Sequence, residues 1–165
     1  MATPLDAATI EEKMTYLASS EFFNGQPEAL IRDFSAEARW LRLAIGETLI
    51  HQGEHGDGLF VLIGGRLRVY RKAADGHETV LGEIERGEVV GEMAVLTEET
   101  RSASVRAIRD CHLAQLTRES FNRLEAQHPE LMRQIARLLV KRLKVDEATR
   151  HIHHTTNVVL VPAGK

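Results

Sequence analysis

The sequence has few of the residues and patterns that mark special environments. It contains one cysteine, Cys111, in 165 residues, so an internal disulfide is excluded and a reducing compartment is favoured. No basic and then apolar leader opens the chain, and no apolar run approaches the roughly 20 residues that cross a bilayer. We therefore expect no direct membrane insertion and predict a cytoplasmic location.

Net charge is also low, at -3 with histidine neutral. Such a chain has no overall attraction for nucleic acid, so any anionic ligand must be captured by a local arrangement of donors. Apolar residues make up 43% of the chain and charged residues 27%, a balance typical of a folded globular domain. We expect one compact core, with Cys111 as a small buried hydrophobic residue and no nucleic-acid partner.

Two amphipathic helices are predicted at the start of the chain. The segment "ATIEEKMTYLA" has capping-box spacing at Thr9 and Glu12 and keeps its apolar residues on one helical face. A second helix is predicted in "PEALIRDFSA", where Pro27 suits a first helical turn. Residues 1–36 are therefore assigned to N-terminal helices.

From about Trp40 to Leu116 the pattern changes to short alternating strands separated by glycine. The predicted strand segments are "ETLIHQG", "GLFVLIGGRLRVYR", "ETVLGEI", "SASVRAI" and "CHLAQL". Gly64-Gly65 and Asp75-Gly76 are the turn signals between them, because glycine accepts positive φ at little cost. The predicted fold class is mainly β with flanking helices, its strands forming a β-barrel or jelly roll.

Helical periodicity returns after the strands. Thr117 is predicted as the N-cap before "RESFNRLEA", and Pro129 opens the longer "PELMRQIARLLVKRLKVDEATR". Its apolar stripe ends at Val145, so this helix is expected to cap the barrel and to be able to form a homodimer with a partner helix. Residues 37–150 are assigned to the barrel with its closing helices. The strand-like tail "TTNVVLVPAGK" leads us to assign residues 151–165 to a linker and the first strand of a further domain.

The stretch "GEMAVLTEETRSASV", residues 91–105, contains the candidate site. Gly91 lets the backbone approach a ligand closely, and "EMAVL" is long enough for one helical turn whose N–H groups point at an anion. Arg101 adds a planar, charged fork that matches two phosphate oxygens. Glu92 accepts hydrogen bonds and repels phosphate, so it suits a sugar hydroxyl. The pair is predicted to bind opposite ends of a ribose-phosphate.

Further donors are available beside this acid and base. The hydroxyl of Ser102 and the backbone amides around Ala94 and Ala103 are suited to an anion-binding nest. From spacing alone, the alternative is an ordinary surface ion pair between Glu92 and Arg101, which contributes roughly 0–1 kcal/mol.

A resemblance to a known family favours the ligand interpretation. The segment "GEMAVLTEETRSASVRA", preceded by "GEVV", resembles the phosphate-binding cassette of the cyclic-nucleotide-binding domain. That family includes the bacterial cAMP receptor protein, protein kinase regulatory subunits and cyclic-nucleotide-gated channels. "GETLIHQGEHGDGLFVLIGGRLRVY" is similar to its opening strands, and "LTRESFNRLEAQHPELMRQIARLLVKRL" resembles its closing helices. The resemblance implies that Glu92 binds the ribose 2′-hydroxyl and Arg101 the cyclic phosphate. The implied pocket lining is completed by Gly91, Met93, Ala94, Ser102 and Ala103.

The same resemblance implies a cyclic nucleotide ligand, no cofactor and no metal. Ser102 after the arginine resembles the cAMP-type pattern, whereas threonine there would resemble cGMP-selective members, so cAMP is favoured over cGMP. The order of domain, polar linker and "NVVLVP" resembles the N-terminal regulatory part of bacterial patatin-like phospholipases related to neuropathy target esterase. It implies a regulatory domain with a downstream domain as partner. The chain has no "GxSxG" nucleophile elbow, so hydrolase chemistry is not expected in it.

Two alternatives stay open at this point. A degenerate member of the family would keep the fold as a protein-interaction module. A metal-dependent β-barrel enzyme of the cupin type would need histidine ligands, for which His51, His55 and "HIHH" are the candidates. Cupin sites need a His-x-His pair on facing strands, and the pair here, His151 and His153, lies past the predicted barrel.

Overall fold

The structure is a computed structural model that describes the backbone of residues 1–4 and 9–159, with side chains as far as residue 148. These residues form five helices and nine strands. The helices are α1 (Ile10–Ala18), α2 (Glu28–Glu37), α3 (Met93–Leu96), α4 (Arg118–Gln127) and α5 (Glu130–Val159). The strands are β1 (Thr3–Pro4), β2 (Arg39–Leu43), β3 (Thr48–Ile50), β4 (Gly58–Gly64), β5 (Leu67–Lys72), β6 (Glu78–Ile84), β7 (Val89–Val90), β8 (Ser104–Ala107) and β9 (Cys111–Thr117).

Local hydrogen bonds fix where the helices begin. The Thr9 hydroxyl accepts from the Glu12 N–H, and the Glu12 carboxylate accepts from the Thr9 N–H, so the predicted capping box is confirmed at α1. The predicted N-cap of α4 is also confirmed, since the Thr117 hydroxyl accepts from the Ser120 N–H. Pro27 lies one residue earlier than predicted, as the N-cap of α2 rather than inside its first turn.

An aromatic cluster joins α1, α2 and the segment between them. The rings of Phe23 and Phe34 lie 4.8 Å apart at 69°, and Phe22 meets Phe23 edge-on at 4.9 Å. Leu17 and Leu30 are fully buried. Edge-on aromatic pairs add roughly 0.5–1.5 kcal/mol to the free energy gained by burying their surface. The cluster therefore holds the N-terminal helices together as a packed unit.

Polar contacts attach α2 to α4. Arg123 Nη2 donates to Glu37 Oε2 at 2.9 Å, and this hydrogen bond lowers the pKa of Glu37. His128 Nε2 lies 2.6 Å from Asp33 Oδ2 at the end of α4. The N-terminal helices are thus fixed against the helix that follows the last strand.

The strands pair antiparallel in two sheets, with orders β1-β2-β9-β4-β7 and β3-β8-β5-β6. The predicted mainly β, jelly-roll-type fold with flanking helices is confirmed. Gly65 and Gly76 have φ of 93° and 89°, as their turns require. No predicted segment covers β1, β2 or β7, and the two residues of β1 and of β7 are too few for an alternation that a pattern can detect.

The apolar core lies between the two sheets and draws on both. Its buried members are Leu43, Ile50, Phe60, Leu62, Leu67, Ile84, Val90, Val105, Ala107, Cys111 and Leu113. Cys111 is fully buried, and its Sγ lies 3.4 and 3.1 Å from the carbonyl oxygens of Arg66 and Arg109, either of which can accept its single S–H. Burial raises the pKa of this thiol. The prediction of a small buried hydrophobic residue is confirmed.

The chain divides into two compact units, Met1–Leu131 and Met132–Lys165. In the second unit α5 continues to Val159, so the strand predicted for "NVVLV" is wrong for residues 157–159. A helix makes its backbone hydrogen bonds within one segment, whereas a strand needs a partner strand to satisfy them. The rest of the predicted strand, residues 160–165, lies outside the described residues.

Side chains of α5 include exposed apolar residues, namely Val140, Leu143 and Val145. None of the helices that the structure describes has both the length and the apolar character needed to cross a membrane.

Candidate functional site

Gly91 forms the turn between β7 and α3. Its φ is 80°, and a Cβ at this position would lie 2.7 Å from Arg101 Nη1 and 3.2 Å from Ile50 Cδ1. Both the left-handed backbone and the lack of space therefore require glycine. The close approach predicted for a ligand is made in the structure by the guanidinium of Arg101.

The single helical turn predicted in "EMAVL" is confirmed as α3. Glu92 is the residue before it and is already helical, with φ of -61° and ψ of -27°. Glu92 is only 5% exposed, and Ala94 is similarly buried, whereas Met93 is 46% exposed. The predicted acid thus lies inside the protein, where a carboxylate needs partners, rather than on the surface as an ordinary ion pair would require.

The backbone of Arg101 is held by the loop between β3 and β4. The N–H of Gly53 donates to the carbonyl of Arg101 at 2.8 Å, and the N–H of Arg101 donates to the carbonyl of Glu54 at 2.8 Å. An isolated antiparallel bridge joins His55 to Thr100 beside this pair. The residue is therefore fixed by contacts to a loop almost fifty positions earlier in the chain.

The guanidinium of Arg101 is anchored as well. Its Nη1 donates to the carbonyl of Gly91 and its Nη2 to the carbonyl of Gly58, both at 2.9 Å. Gly56 lies against it, since a Cβ there would be 2.6 Å from Arg101 Cζ and 2.5 Å from the Cβ of Ala94. A guanidinium has five N–H donors, so the two bonds to carbonyls leave three for an anion.

Neighbouring carboxylates and partial burial shift the pKa of Arg101 in opposite directions. Partial burial lowers the pKa of its guanidinium, while the carboxylates of Glu92 and Asp57 raise it. An arginine stays protonated in proteins, so the site keeps a permanent positive charge beside a buried acid. The structure therefore brings together Gly91, Glu92, Ala94 and Arg101 as predicted.

Ser102 and Ala103 follow Arg101 and provide backbone donors. In the described part of the chain no protein oxygen accepts from the N–H of either residue. The carbonyl of Arg101 accepts a hydrogen bond from the Gly53 N–H. The C=O and N–H of a trans peptide point in opposite directions, so this hydrogen bond also fixes the orientation of the Ser102 N–H. Consecutive free N–H groups of this kind form an anion-binding concavity.

Three contacts to Arg101 are not predicted by the sequence. They are the hydrogen bond to the Gly58 carbonyl, the packing of Gly56 against the guanidinium, and the backbone hydrogen bonds of residues 53 and 54. The spacing of glycines in "QGEHGDG" is the available signal, since closely spaced glycines often mark close approach of a backbone to another group. It does not reveal which group approaches.

The structure gives no support to the metal-enzyme alternative. Across the described residues, no three His, Cys, Asp or Glu side chains lie close enough together to hold a metal ion. His51 and His55 are exposed in the loop after β3. The structure does not describe the side chains of His151, His153 and His154.

The chain matches both a known protein family and curated relatives. Residues 40–128 match the family model described as "Cyclic nucleotide-binding domain", a range that contains the whole candidate site. Lysophospholipase nte1 of Aspergillus oryzae is 36% identical over 142 residues, which are 86% of this chain and 9% of that protein. The chain thus spans about a tenth of the length of the curated relatives that it matches. The predicted resemblance to proteins related to neuropathy target esterase is confirmed.

Solved structures have the same architecture. The catabolite activator protein of Thermus thermophilus superposes with a TM-score of 0.74 at 28% identity, over 82% of this chain and 63% of that one. A cAMP-binding acyltransferase from Mycobacterium smegmatis superposes with a TM-score of 0.69 at 28% identity, over 84% of this chain and 43% of that one. Fold, site geometry and sequence agree, and this chain belongs to the cyclic nucleotide-binding domain family.

Proposed function

We propose that this domain is a sensor that binds a cyclic nucleotide, with cAMP preferred to cGMP, and regulates an attached output domain. The observation that carries the proposal is the anchored guanidinium of Arg101 beside the buried carboxylate of Glu92. The ligand is bound by this domain without being transformed.

Each end of a cyclic nucleotide has a matching group in the site. The cyclic phosphate takes charge-assisted hydrogen bonds from Arg101 and bonds from the N–H groups of Ser102 and Ala103. The ribose 2′-hydroxyl donates to the Glu92 carboxylate, which accepts hydrogen bonds and would repel the phosphate. The ligand is thereby oriented with its sugar toward α3 and its phosphate toward Arg101.

The preference for cAMP rests on Ser102. A serine after the arginine resembles the cAMP-type pattern of the family, and the similar M. smegmatis acyltransferase is named as cAMP-binding. The other donors around Arg101 serve either nucleotide, so the preference is assigned to Ser102 alone.

The output domain is proposed to be a lysophospholipase of the kind named among the relatives. In this proposal the domain binds the nucleotide that regulates the lysophospholipase, and the hydrolytic groups lie in another part of the protein. The exposed apolar side chains of α5 at Val140, Leu143 and Val145 suit contact with a partner helix, which supports a homodimer through this helix.

A thermal shift tests nucleotide binding directly. At a hundredfold excess over the dissociation constant, cAMP is expected to stabilise the folded chain by about 2.7 kcal/mol, which raises the Tm by about 5–10 °C. At equal concentration cGMP should raise it less. If neither nucleotide shifts the Tm at millimolar concentration, the sensor proposal fails.

The role of Glu92 has a separate test with Glu92→Gln, which keeps the shape of the side chain and removes its charge. The variant is expected to bind cAMP several-fold more weakly, because a hydrogen bond to a charged acceptor is stronger than one to a neutral acceptor. Its preference for cAMP over 2′-deoxy-cAMP should narrow, as measured by calorimetry with both ligands. An unchanged preference would place the 2′-hydroxyl elsewhere.

Regulation requires that the nucleotide favour one conformational state over another. We expect saturating cAMP to change amide hydrogen exchange within residues 131–145 of α5, measured by mass spectrometry. The control ligand is 5′-AMP, which has the same base and sugar without the cyclic ester. Unchanged exchange in these residues, with cAMP shown to be bound, would contradict a relay through α5.

A further inference from the structure

Arg71 lies near the end of β5, on the face of the strand that is turned toward the core. Leu67 belongs to the core and Val69 packs against it, and alternate residues of a strand share a face. Tyr70 faces the other side, where the Arg106 guanidinium lies 4.4 Å from its ring centroid. Arg71 therefore continues the inner face of the strand beyond the apolar core, and it is exposed.

The ladder between β5 and β8 stops beside this residue. The last pair is Tyr70 with Ser104, and continuing the register would pair Lys72 with Ser102. Instead, the side-chain amide of Gln52 donates to the Lys72 carbonyl at 3.1 Å and accepts from its N–H at 2.8 Å. Gln52 thus occupies the backbone groups of Lys72 that Ser102 would otherwise use.

With Lys72 occupied, the carbonyl of Ser102 accepts from Arg71 Nε at 3.2 Å. This bond fixes the peptide between Ser102 and Ala103, and so also fixes the direction of the Ala103 N–H at its opposite end. The preceding peptide is fixed in the same manner by the N–H of Gly53 on the carbonyl of Arg101. Each of the two free N–H groups is therefore oriented by a hydrogen bond to the carbonyl of its own peptide.

We infer, on the basis of the proposed function, that Arg71 is a positioning residue for the phosphate. It holds Ser102 outside the β5–β8 ladder, so that the N–H groups of Ser102 and Ala103 remain available and oriented for the anion. Its contribution depends on the Nε–H donor rather than on its charge, because the bonded partner is a neutral carbonyl.

Two variants of similar length separate the donor from the charge. In Arg71→Gln the amide nitrogen stands the same number of bonds from Cα as Nε, so a donor is kept and the charge is lost. Arg71→Met has a methyl carbon at that position and loses both. We expect Arg71→Met to bind cAMP and cGMP about fivefold more weakly, as loss of one net hydrogen bond predicts, and Arg71→Gln to stay within about twofold of wild type.

Calorimetry at low and high salt gives the outcomes that would overturn this role. If both variants are weakened equally, and the loss shrinks with added salt, Arg71 contacts the ligand through its charge instead. If neither variant is weakened, Arg71 has no role in the site. Arg68→Met is the control for net charge, since Arg68 lies on the same strand and pairs with Glu83, and its nucleotide affinity should be unchanged.

A measurement without ligand keeps this inference separate from the proposed function. In the amide ¹H–¹⁵N spectrum of the free chain, the Ala103 cross-peak is expected to move in Arg71→Met and to stay near its wild-type position in Arg71→Gln. If wild type binds neither nucleotide, the proposed function fails while this spectrum still decides whether Arg71 orients the peptide. A cross-peak that moves equally in both variants would contradict the positioning role.

Discussion

Arg101→Ala is expected to weaken cAMP and cGMP binding by roughly tenfold to more than a hundredfold. A charge-assisted hydrogen bond contributes about 1.5–3 kcal/mol, and backbone N–H groups alone supply no full charge to oppose the phosphate. Arg101→Lys should recover only part of the loss, because a point charge cannot reproduce the two-pronged geometry or reach both Gly58 and Gly91. Calorimetry with both nucleotides measures these affinities.

The Arg101 side chain also makes hydrogen bonds within the ligand-free protein, so the unfolding free energy of each variant must be measured alongside its affinity. Removing Arg101 leaves the carbonyls of Gly58 and Gly91 without this donor, and some loss of unfolding free energy is expected in the absence of nucleotide. Arg109→Ala, an exposed arginine outside the site, controls for net charge. If wild type and Arg101→Ala bind equally or not at all, the donors of Arg101 serve only the fold, and a protein-interaction module becomes the better account.

Gly58→Ala is expected to lower the unfolding free energy by about 3 kcal/mol or more, at the upper end of the range for overpacking. A Cβ at Gly58 would lie 2.2 Å from the Leu116 carbonyl oxygen and 2.9 Å from Thr117 Cα. Both atoms belong to the backbone of β9, so no side-chain rotation relieves the contact. Because the Gly58 carbonyl accepts from Arg101, nucleotide affinity should fall as well.

Urea denaturation of Gly58→Ala and Gly64→Ala makes a matched comparison at the two ends of β4. A Cβ at Gly64 meets nothing within 4 Å, so its stability should change by no more than about 0.5 kcal/mol. Equal midpoints for the two variants would show that β9 moves away from β4 at little cost. The difference expected between them follows from the close approach of the β9 backbone to Gly58.

Elements marked by local chemistry could be predicted from the sequence. The capping box at Thr9 and the N-cap at Thr117 each involve residues three apart, and "ETVLGEI" coincides with β6. The turn glycines Gly65 and Gly76 were identified because their conformations exclude most other residues. In each case the information lies within a few neighbouring positions.

The acid and base of the site were predicted, but the groups that hold them were not. Arg101 is fixed by backbone atoms of residues 53, 54 and 58, and the glycine spacing there indicates a close approach without revealing which group approaches. The role of Arg71 depends on the register in which β5 meets β8, which a pattern on either strand alone does not determine. The Val-rich tail favours a strand by residue preference, whereas a helix that has already formed needs no partner strand to continue.

The buried state of Cys111 has a practical consequence for labelling. Thiol reagents attack the thiolate, and this thiol has no exposed surface and a raised pKa, so it should react slowly in the folded chain. A cysteine introduced by Val145→Cys, on an exposed part of α5, should therefore take a fluorophore selectively while the native thiol stays in the core. The wild-type background can be used for single-site spectroscopy of the long helix without first replacing Cys111.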